Sequence, residues 1–104
     1  MRPRRSINFR RVADAAAARS EEILRQWLPG GRREALEWCV RNPRRADAKL
    51  GSFKVNLKTG LWADFASGDS GRDLVALAAF LFELRQDEAA RRVADMLGIS
   101  AFDD

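Results

Sequence analysis

The sequence contains no histidine and a single cysteine, Cys39. A disulfide within the chain is therefore excluded, and so is a structural zinc site, which needs about four cysteine or histidine ligands. Catalysis by a cysteine–histidine or serine–histidine pair is excluded too, because the base is missing. Nothing in the sequence places another base beside Cys39, so we expect its thiol to be inert.

Long apolar segments are also missing. No run of about 18 apolar residues occurs, so no membrane span is predicted. The basic start at residues 1–6 is not followed by the apolar segment of a signal peptide, and a cytoplasmic protein is expected. The length of 104 residues predicts one domain, at residues 9–99. A flexible basic arm (residues 1–8) would precede it and an acidic tail (residues 100–104) would follow.

The charge of the chain is unevenly distributed. Residues 1–60 contain 15 lysines and arginines against 6 acidic residues, whereas residues 61–104 contain 4 against 9. A basic half of this kind favours a surface that binds a polyanion. The alternative is an ordinary solvated surface that is rich in arginine.

Residues 51–65 are predicted to form a β-hairpin around which the rest of the chain is organised. Apolar and polar residues alternate on both sides of a turn at residues 56–60, which ends in glycine. One set is expected to face the core: Phe53, Val55, Leu61, Ala63 and Phe65. The other set is expected to face solvent: Lys54, Asn56, Trp62 and Asp64.

The remaining segments predict an α+β domain. Helical periodicity covers residues 9–28, with a break near residue 19 as an alternative, and residues 35–41 alternate as a first strand that Pro43 ends. A helix follows to about residue 84, capped by Ser70 or Asp69, and a last helix runs from Asp87 to Gly98. We expect a three-stranded antiparallel sheet with one N-terminal and two C-terminal helices.

The solvent face of the hairpin is the predicted functional site. An exposed tryptophan can stack on a base of single-stranded nucleic acid, worth about 1–3 kcal/mol, while cations hold the phosphates. The alternative is that helix 9–28 covers this face, which would make Trp62 a core residue. The predicted nucleic-acid-binding residues are Arg32, Arg33, Arg41, Arg44, Arg45, Lys49, Lys54, Asn56, Lys58 and Trp62.

The loop at residues 66–73 offers two weaker alternatives. Its glycines precede a helix, and a helix N-terminus can bind phosphate, but Asp69 and Asp73 make the loop acidic and can cap the helix themselves. Asp64, Asp69 and Asp73 can in principle hold Mg²⁺ or act as acid and base, although no further polar partner is evident. We expect no catalytic residue, no metal and no cofactor.

An ordered series of motifs resembles the N-terminal zinc-ribbon-like module of primases and primase–helicases from phages, plasmids and other mobile elements. The resemblance covers roughly residues 7–99 and includes residues 27–31 (WLPGG), 42–47 (NPRRAD), 51–56 (GSFKVN), 59–66 (TGLWADFA) and 73–79 (DLVALAA). Zinc-containing relatives have a Cys-Pro-x-His segment where this chain has residues 42–45. Their Cys-x-x-Cys segment corresponds to Asp64 and about Gly68. The resemblance therefore implies a version without the zinc ligands.

The resemblance implies a non-catalytic module that binds a single-stranded DNA template during replication of a mobile element. The catalytic primase core would lie outside this chain, which would be either a fragment or a stand-alone module. The alternative is a protein-interaction module that docks a replicative helicase or a primase core through its acidic helices. Neither a membrane nor a small-molecule substrate is expected as a partner.

Overall fold

The computed structural model describes residues 6–45 and 51–103, and it contains four helices and five strands within these ranges. The helices are α1 (Phe9–Ala17), α2 (Ser20–Trp27), α3 (Leu74–Phe82) and α4 (Gln86–Leu97). The strands are β1 (Arg32–Glu34), β2 (Glu37–Val40), β3 (Phe53–Asn56), β4 (Trp62–Asp64) and β5 (Ser70–Gly71). The α+β class is as predicted.

The strands form one antiparallel sheet in the order β1-β2-β3-β4-β5, so every strand pairs with its neighbour in sequence. The predicted hairpin is the β3–β4 pair, in which Val55 lies opposite Trp62. The predicted count of three strands is wrong, because β1 and β5 extend the sheet at its two edges. Both were predicted as loops, and strands of two or three residues are too short to show a period.

The N-terminal helical segment is two helices, so the prediction of one N-terminal helix is wrong and the alternative break near residue 19 is confirmed. Asn8 caps α1 by accepting a hydrogen bond from the backbone N–H of Arg11 (3.0 Å). Arg19 then has a non-helical backbone (φ −125°, ψ 28°), and α2 begins at Ser20. The hydroxyl of Ser20 is buried and donates to the carbonyl of Leu57, which ties this corner to the hairpin turn.

The cap of α3 is one of the two acidic residues that were predicted to cap it, and Ser70 and Asp69 do not cap it. Asp73 itself is the N-cap, and its carboxylate accepts a hydrogen bond from the N–H of Ala76 (2.8 Å). Ser70 lies in β5, and Asp69 accepts from the hydroxyl of Ser67 (2.8 Å) instead. At the far end of α4, Gly98 adopts φ +73° and ends the helix as predicted.

One face of the sheet packs against helices and forms the core. Its inward residues are Trp38, Val40, Phe53, Val55 and Trp62. Residues of α2 cover the Trp38 end, where the indole N–H donates to Leu28 and the Arg25 guanidinium lies 5.1 Å from the ring centre. Phe80 of α3 covers the other end.

The two ends of the described chain pair with each other. Ile7 and Phe102 form a β-bridge, and Asp103 donates its backbone N–H to the carbonyl of Ser6 (2.9 Å). The side chain of Asn8 also donates to the Asp103 carboxylate (2.9 Å). Residues 6–8 of the predicted arm and 101–103 of the predicted tail are therefore hydrogen-bonded to one another.

Within the described ranges, no helix has the length and apolar character that crossing a membrane requires.

Candidate functional site

The face of the sheet that points away from the helices forms an open depression of about 520 Å³. The pairing register places Lys54, Ala63 and Ser70 side by side on this face, because Lys54 lies opposite Ala63 and Ala63 opposite Ser70. Leu61 and Phe65 flank Ala63 along the same side of β4. The lining also includes Glu37, Asn56 and Arg72. We call this surface the open face.

Trp62 does not lie on the open face, so that prediction is wrong and the alternative of a core residue is correct. The residue is 5% exposed, and its ring stacks on Phe53 (centroids 5.6 Å apart) and contacts Phe80 (5.1 Å). Its indole N–H donates to the carbonyl of Asp73 (3.1 Å). A tryptophan with a buried ring and a satisfied N–H cannot stack on a base in the folded protein.

Gly71 makes room for the buried indole. A Cβ at this position would lie 2.4 Å from the Trp62 ring nitrogen, so any side chain at position 71 would displace the ring. The alternation in β4 was predicted correctly, but its two faces were exchanged. A glycine nine residues after the tryptophan is the only trace of this arrangement in the sequence, and it does not identify its partner.

Phe65 takes the exposed position that was predicted for Trp62. It is 74% exposed, and Leu61 is 53% exposed. The backbone N–H of Phe65 donates to the carbonyl of Ser52 (3.0 Å), which holds the residue at the end of the β3–β4 pair. A large aromatic side chain that is exposed on an otherwise folded sheet is a recognised mark of a binding surface.

Two cations share the lining of the open face with Phe65, and a third follows the neighbouring strand. Lys54 and Arg72 line the depression, and Arg41 comes directly after β2, whose alternation would place it on the same side as Cys39. Arg41 and Arg72 form no ion pair with any residue that the structure describes. Arg41 was predicted as a site residue; Arg72 was not, because it follows a strand too short to predict.

Other predicted site residues are engaged elsewhere. Arg32 pairs with Glu34 (3.1 Å), and Arg33 pairs with Glu21 of α2 (2.8 Å). Arg44 lies over the Phe80 ring (5.4 Å), donates to the Phe80 carbonyl (2.7 Å) and pairs with Glu83 (2.8 Å). These arginines do not line the open face: Arg32 and Arg33 lie in β1, and Arg44 packs on α3.

The hairpin turn contains two more predicted residues. The Asn56 side-chain oxygen accepts hydrogen bonds from the N–H groups of Lys58 (2.8 Å) and Thr59 (2.9 Å), so this oxygen shapes the turn. Lys58 lines a different depression, beside the α1–α2 corner, and not the open face. Lys49 lies outside the described residues.

Asp64 is buried (1% exposed), although it was predicted to face solvent. Its carboxylate accepts hydrogen bonds from the Asn42 side chain (2.8 Å) and the Arg45 guanidinium (3.0 Å). The other carboxylate oxygen accepts from the N–H groups of Ala66 (2.8 Å) and Ser67 (3.4 Å). We call this cluster of Asn42, Arg45 and Asp64 the clasp.

The clasp holds Asp64 in its ionised form. Burial raises the pKa of the Asp64 carboxyl, but the hydrogen bonds from Asn42, Ala66, Arg45 and Ser67 outweigh it and hold that pKa well below the ordinary value of 3.8. A carboxylate with four donors is a structural group. It is not the proton carrier that general acid–base catalysis needs.

This pKa predicts a specific acid sensitivity. A carboxyl whose pKa is lower in the folded state stabilises the fold above its unfolded-state pKa, and the contribution declines as the pH falls below about 3.8. The stability lost on changing Asp64→Asn, measured by urea unfolding, should be constant from pH 7 to pH 5. It should shrink steadily below pH 4. A difference that persists unchanged at pH 2 would contradict the assignment.

Cys39 lies beneath the open face and is buried. Burial and the hydrogen bond to Glu34 (2.9 Å) raise the pKa of its thiol to about 11, so the thiol remains protonated at neutral pH. This agrees with the expected inertness. Asp73 caps α3, and Asp69 accepts a hydrogen bond from Ser67. Neither a phosphate site at this helix N-terminus nor a catalytic pair of these carboxylates is therefore supported.

Comparison with known proteins gives a likeness of fold. No protein-family model matches the sequence, and no curated protein is significantly similar to it. In three dimensions the chain is similar to the primase of Aquifex aeolicus, whose crystal structure contains the zinc-binding and RNA polymerase domains. The TM-score is 0.67 at 18% sequence identity, over 91% of this chain and 22% of the primase chain. The chain thus spans about a fifth of that primase and has the fold of its zinc-binding domain.

Proposed function

We propose that this protein is a non-catalytic module that binds the single-stranded DNA template for a primase of a mobile element. The observation that carries the proposal is the open face, where the exposed Phe65 shares the lining with Lys54 and Arg72, and Arg41 follows the adjacent strand β2. The fold shared with a primase zinc-binding domain supports a role beside a primase. The basic character of residues 1–60 supports a polyanionic partner.

In the proposed mode of binding, Phe65 stacks on a base and the three cations hold the flanking phosphates. Stacking and charge neutralisation are the two terms by which proteins hold single strands without reading their sequence. Phe65 replaces Trp62 as the stacking residue. Lys58 belongs to the neighbouring depression beside the α1–α2 corner, and Arg45 belongs to the clasp, so neither is part of the proposed stacking site.

The first prediction concerns Phe65→Ala. Loss of one base stack costs about 1–3 kcal/mol, so affinity for a labelled oligothymidine should fall by about 5- to 150-fold in fluorescence anisotropy. The matched control is Phe82→Ala, which removes another exposed phenylalanine, from the helical side. This control should bind as the parent protein does.

Charge supplies a second arm of the same experiment. The affinity should fall steeply as salt is raised, and Arg41→Ala or Arg72→Ala should reduce the slope of that dependence by about one ion each. Arg25→Ala, on the helical side, should leave the slope unchanged. Absence of binding at low salt would overturn the proposal, and equal losses for Phe65→Ala and Phe82→Ala would overturn the stated mode of binding.

A second candidate function is docking of a primase core or replicative helicase through the helices. The observation in its favour is a depression of about 280 Å³ between α2, α3 and α4, lined by Trp27, Phe82 and Met96. Phe82 and Met96 are 49% and 42% exposed. If this face is the functional one, Phe82→Ala should abolish capture of the purified partner, whereas Phe65→Ala should not. The reverse pattern would exclude it.

A further inference from the structure

Two turns meet at one end of the sheet, and the clasp joins them. The first turn follows β2 and contains Asn42 and Arg45, and the second follows β4 and begins at Asp64. Among the described residues of the two turns, the Asn42 and Arg45 side chains of the first donate to the Asp64 carboxylate of the second. The chain shares its fold with the zinc-binding domain of a primase, which raises the question of whether these turns suit a metal.

The donor atoms in the clasp do not suit zinc. A structural zinc site takes about four thiolate or imidazole ligands. Here Asn42 directs its amide N–H at Asp64, and its oxygen already accepts from the N–H of Arg44 (2.9 Å). Arg45 is permanently protonated and has no lone pair to offer. Both oxygens of Asp64 are saturated by hydrogen bonds.

The wider surroundings of the clasp offer no substitute. Within residues 6–45 and 51–103, no group of three or more Asp, Glu, Cys or His side chains is arranged to hold a metal ion. Every buried side-chain nitrogen and oxygen in the same ranges has a hydrogen-bond partner. The hydrogen-bonding groups of the clasp are therefore already satisfied, and a metal ion could bind there only by displacing the Arg45 guanidinium.

We propose that the clasp replaces a zinc ion as the link between the two turns. The Arg45 guanidinium supplies the central positive charge, the Asp64 carboxylate supplies the negative ligand, and Asn42 bridges Asp64 to the first turn. The link between the turns thereby consists of hydrogen bonds from Asn42 and Arg45 to one oxygen of the Asp64 carboxylate, and it needs no cofactor. The module folds without metal, and chelators do not affect it.

The clasp also shapes the open face. Asp64 accepts from the N–H groups of Ala66 and Ser67, and this tight turn presents the intervening Phe65 to solvent. This consequence rests on the proposed function, whereas the metal independence does not. Arg45→Met should therefore weaken oligonucleotide binding even under conditions in which the variant remains folded.

The test of metal independence begins with the parent protein. It is refolded once with excess zinc and once with EDTA, and each sample is examined for bound zinc by mass spectrometry and for its thermal midpoint. We expect no stoichiometric zinc in either sample and identical midpoints. One zinc ion per chain, or a midpoint that EDTA lowers, would overturn the proposal. Neither readout involves DNA, so failure here is distinct from failure of the proposed function.

A gain-of-metal variant tests whether the clasp occupies the geometry of a metal site. The four substitutions are Asn42→Cys, Arg45→His, Asp64→Cys and Ser67→Cys, which restore a Cys-x-x-His and a Cys-x-x-Cys pair on the two turns. We expect this variant to be unfolded with EDTA and to fold with one zinc ion, followed by circular dichroism. Cys39 is kept in every variant. If the circular dichroism of the fourfold variant is the same with zinc and with EDTA, the proposal that the clasp occupies the position of a zinc ion is wrong.

Discussion

Trp62→Ala is expected to lower the free energy of unfolding by about 3–5 kcal/mol, the usual cost of truncating a large buried aromatic residue. The indole fills the space between Phe53 and Phe80, and its N–H satisfies the carbonyl of Asp73 immediately before α3. Its loss leaves a cavity between the sheet and α3 together with an unpaired carbonyl. In a domain of this size, such a loss is a large part of the total stability.

The measurement is urea unfolding followed by far-ultraviolet circular dichroism, because Trp62 itself contributes to fluorescence. The matched control is Leu61→Ala, which should change stability by no more than about 0.5 kcal/mol because Leu61 is exposed. This pair separates the two possible faces of β4. If Leu61→Ala lowers the free energy of unfolding more than Trp62→Ala does, Leu61 and not Trp62 faces the core, as the sequence predicted.

Arg45→Met is expected to cost about 3 kcal/mol, because it removes the cation that faces a buried carboxylate. The carboxylate of Asp64 is inaccessible to solvent, whereas 26% of the Arg45 side chain is exposed. The partial exposure of Arg45 places the expected cost at the lower end for buried ion pairs. By comparison, Arg32→Met breaks the exposed pair with Glu34 and should cost less than about 1 kcal/mol.

A double-mutant cycle isolates the interaction within the clasp. Arg45→Met combined with Asp64→Asn should cost less than the sum of the two single substitutions, because the uncharged amide no longer requires a cation. We expect a coupling free energy of about 1–3 kcal/mol. If the losses in the free energy of unfolding are strictly additive, Arg45 and Asp64 do not stabilise each other, and the clasp is not an energetic unit.

The sequence predicted the segments with a clear period and missed those without one. The alternation of β3, the hairpin turn and the apolar stripes of α3 and α4 are all visible as spacing, since Leu74, Leu77 and Ala78 recur at helical intervals. Strands β1 and β5 have three and two residues. At that length no alternation exists, and only pairing with a longer neighbour makes them strands.

The candidate site was predicted in part for a similar reason. Lys54 and Arg41 were assigned to the same face, and the structure places Lys54 on the open face because β3 has its predicted orientation. Arg33 and Arg44 were grouped with them because both were expected in loops at the ends of the sheet. Their partners, Glu21 and Glu83, lie 12 and 39 residues away, and no local pattern reveals such contacts.

From the sequence alone, it was determined that the chain has too few cysteine and histidine residues for a structural zinc site, that it is an α+β domain built on a hairpin, and that its cations concentrate in residues 1–60. Only the tertiary structure decided which face of β4 is buried. Alternation separates two sets of side chains but does not say which set faces the core. Here Trp62 is buried because Gly71 makes room for it on the adjacent strand, and Phe65 is left exposed as a consequence.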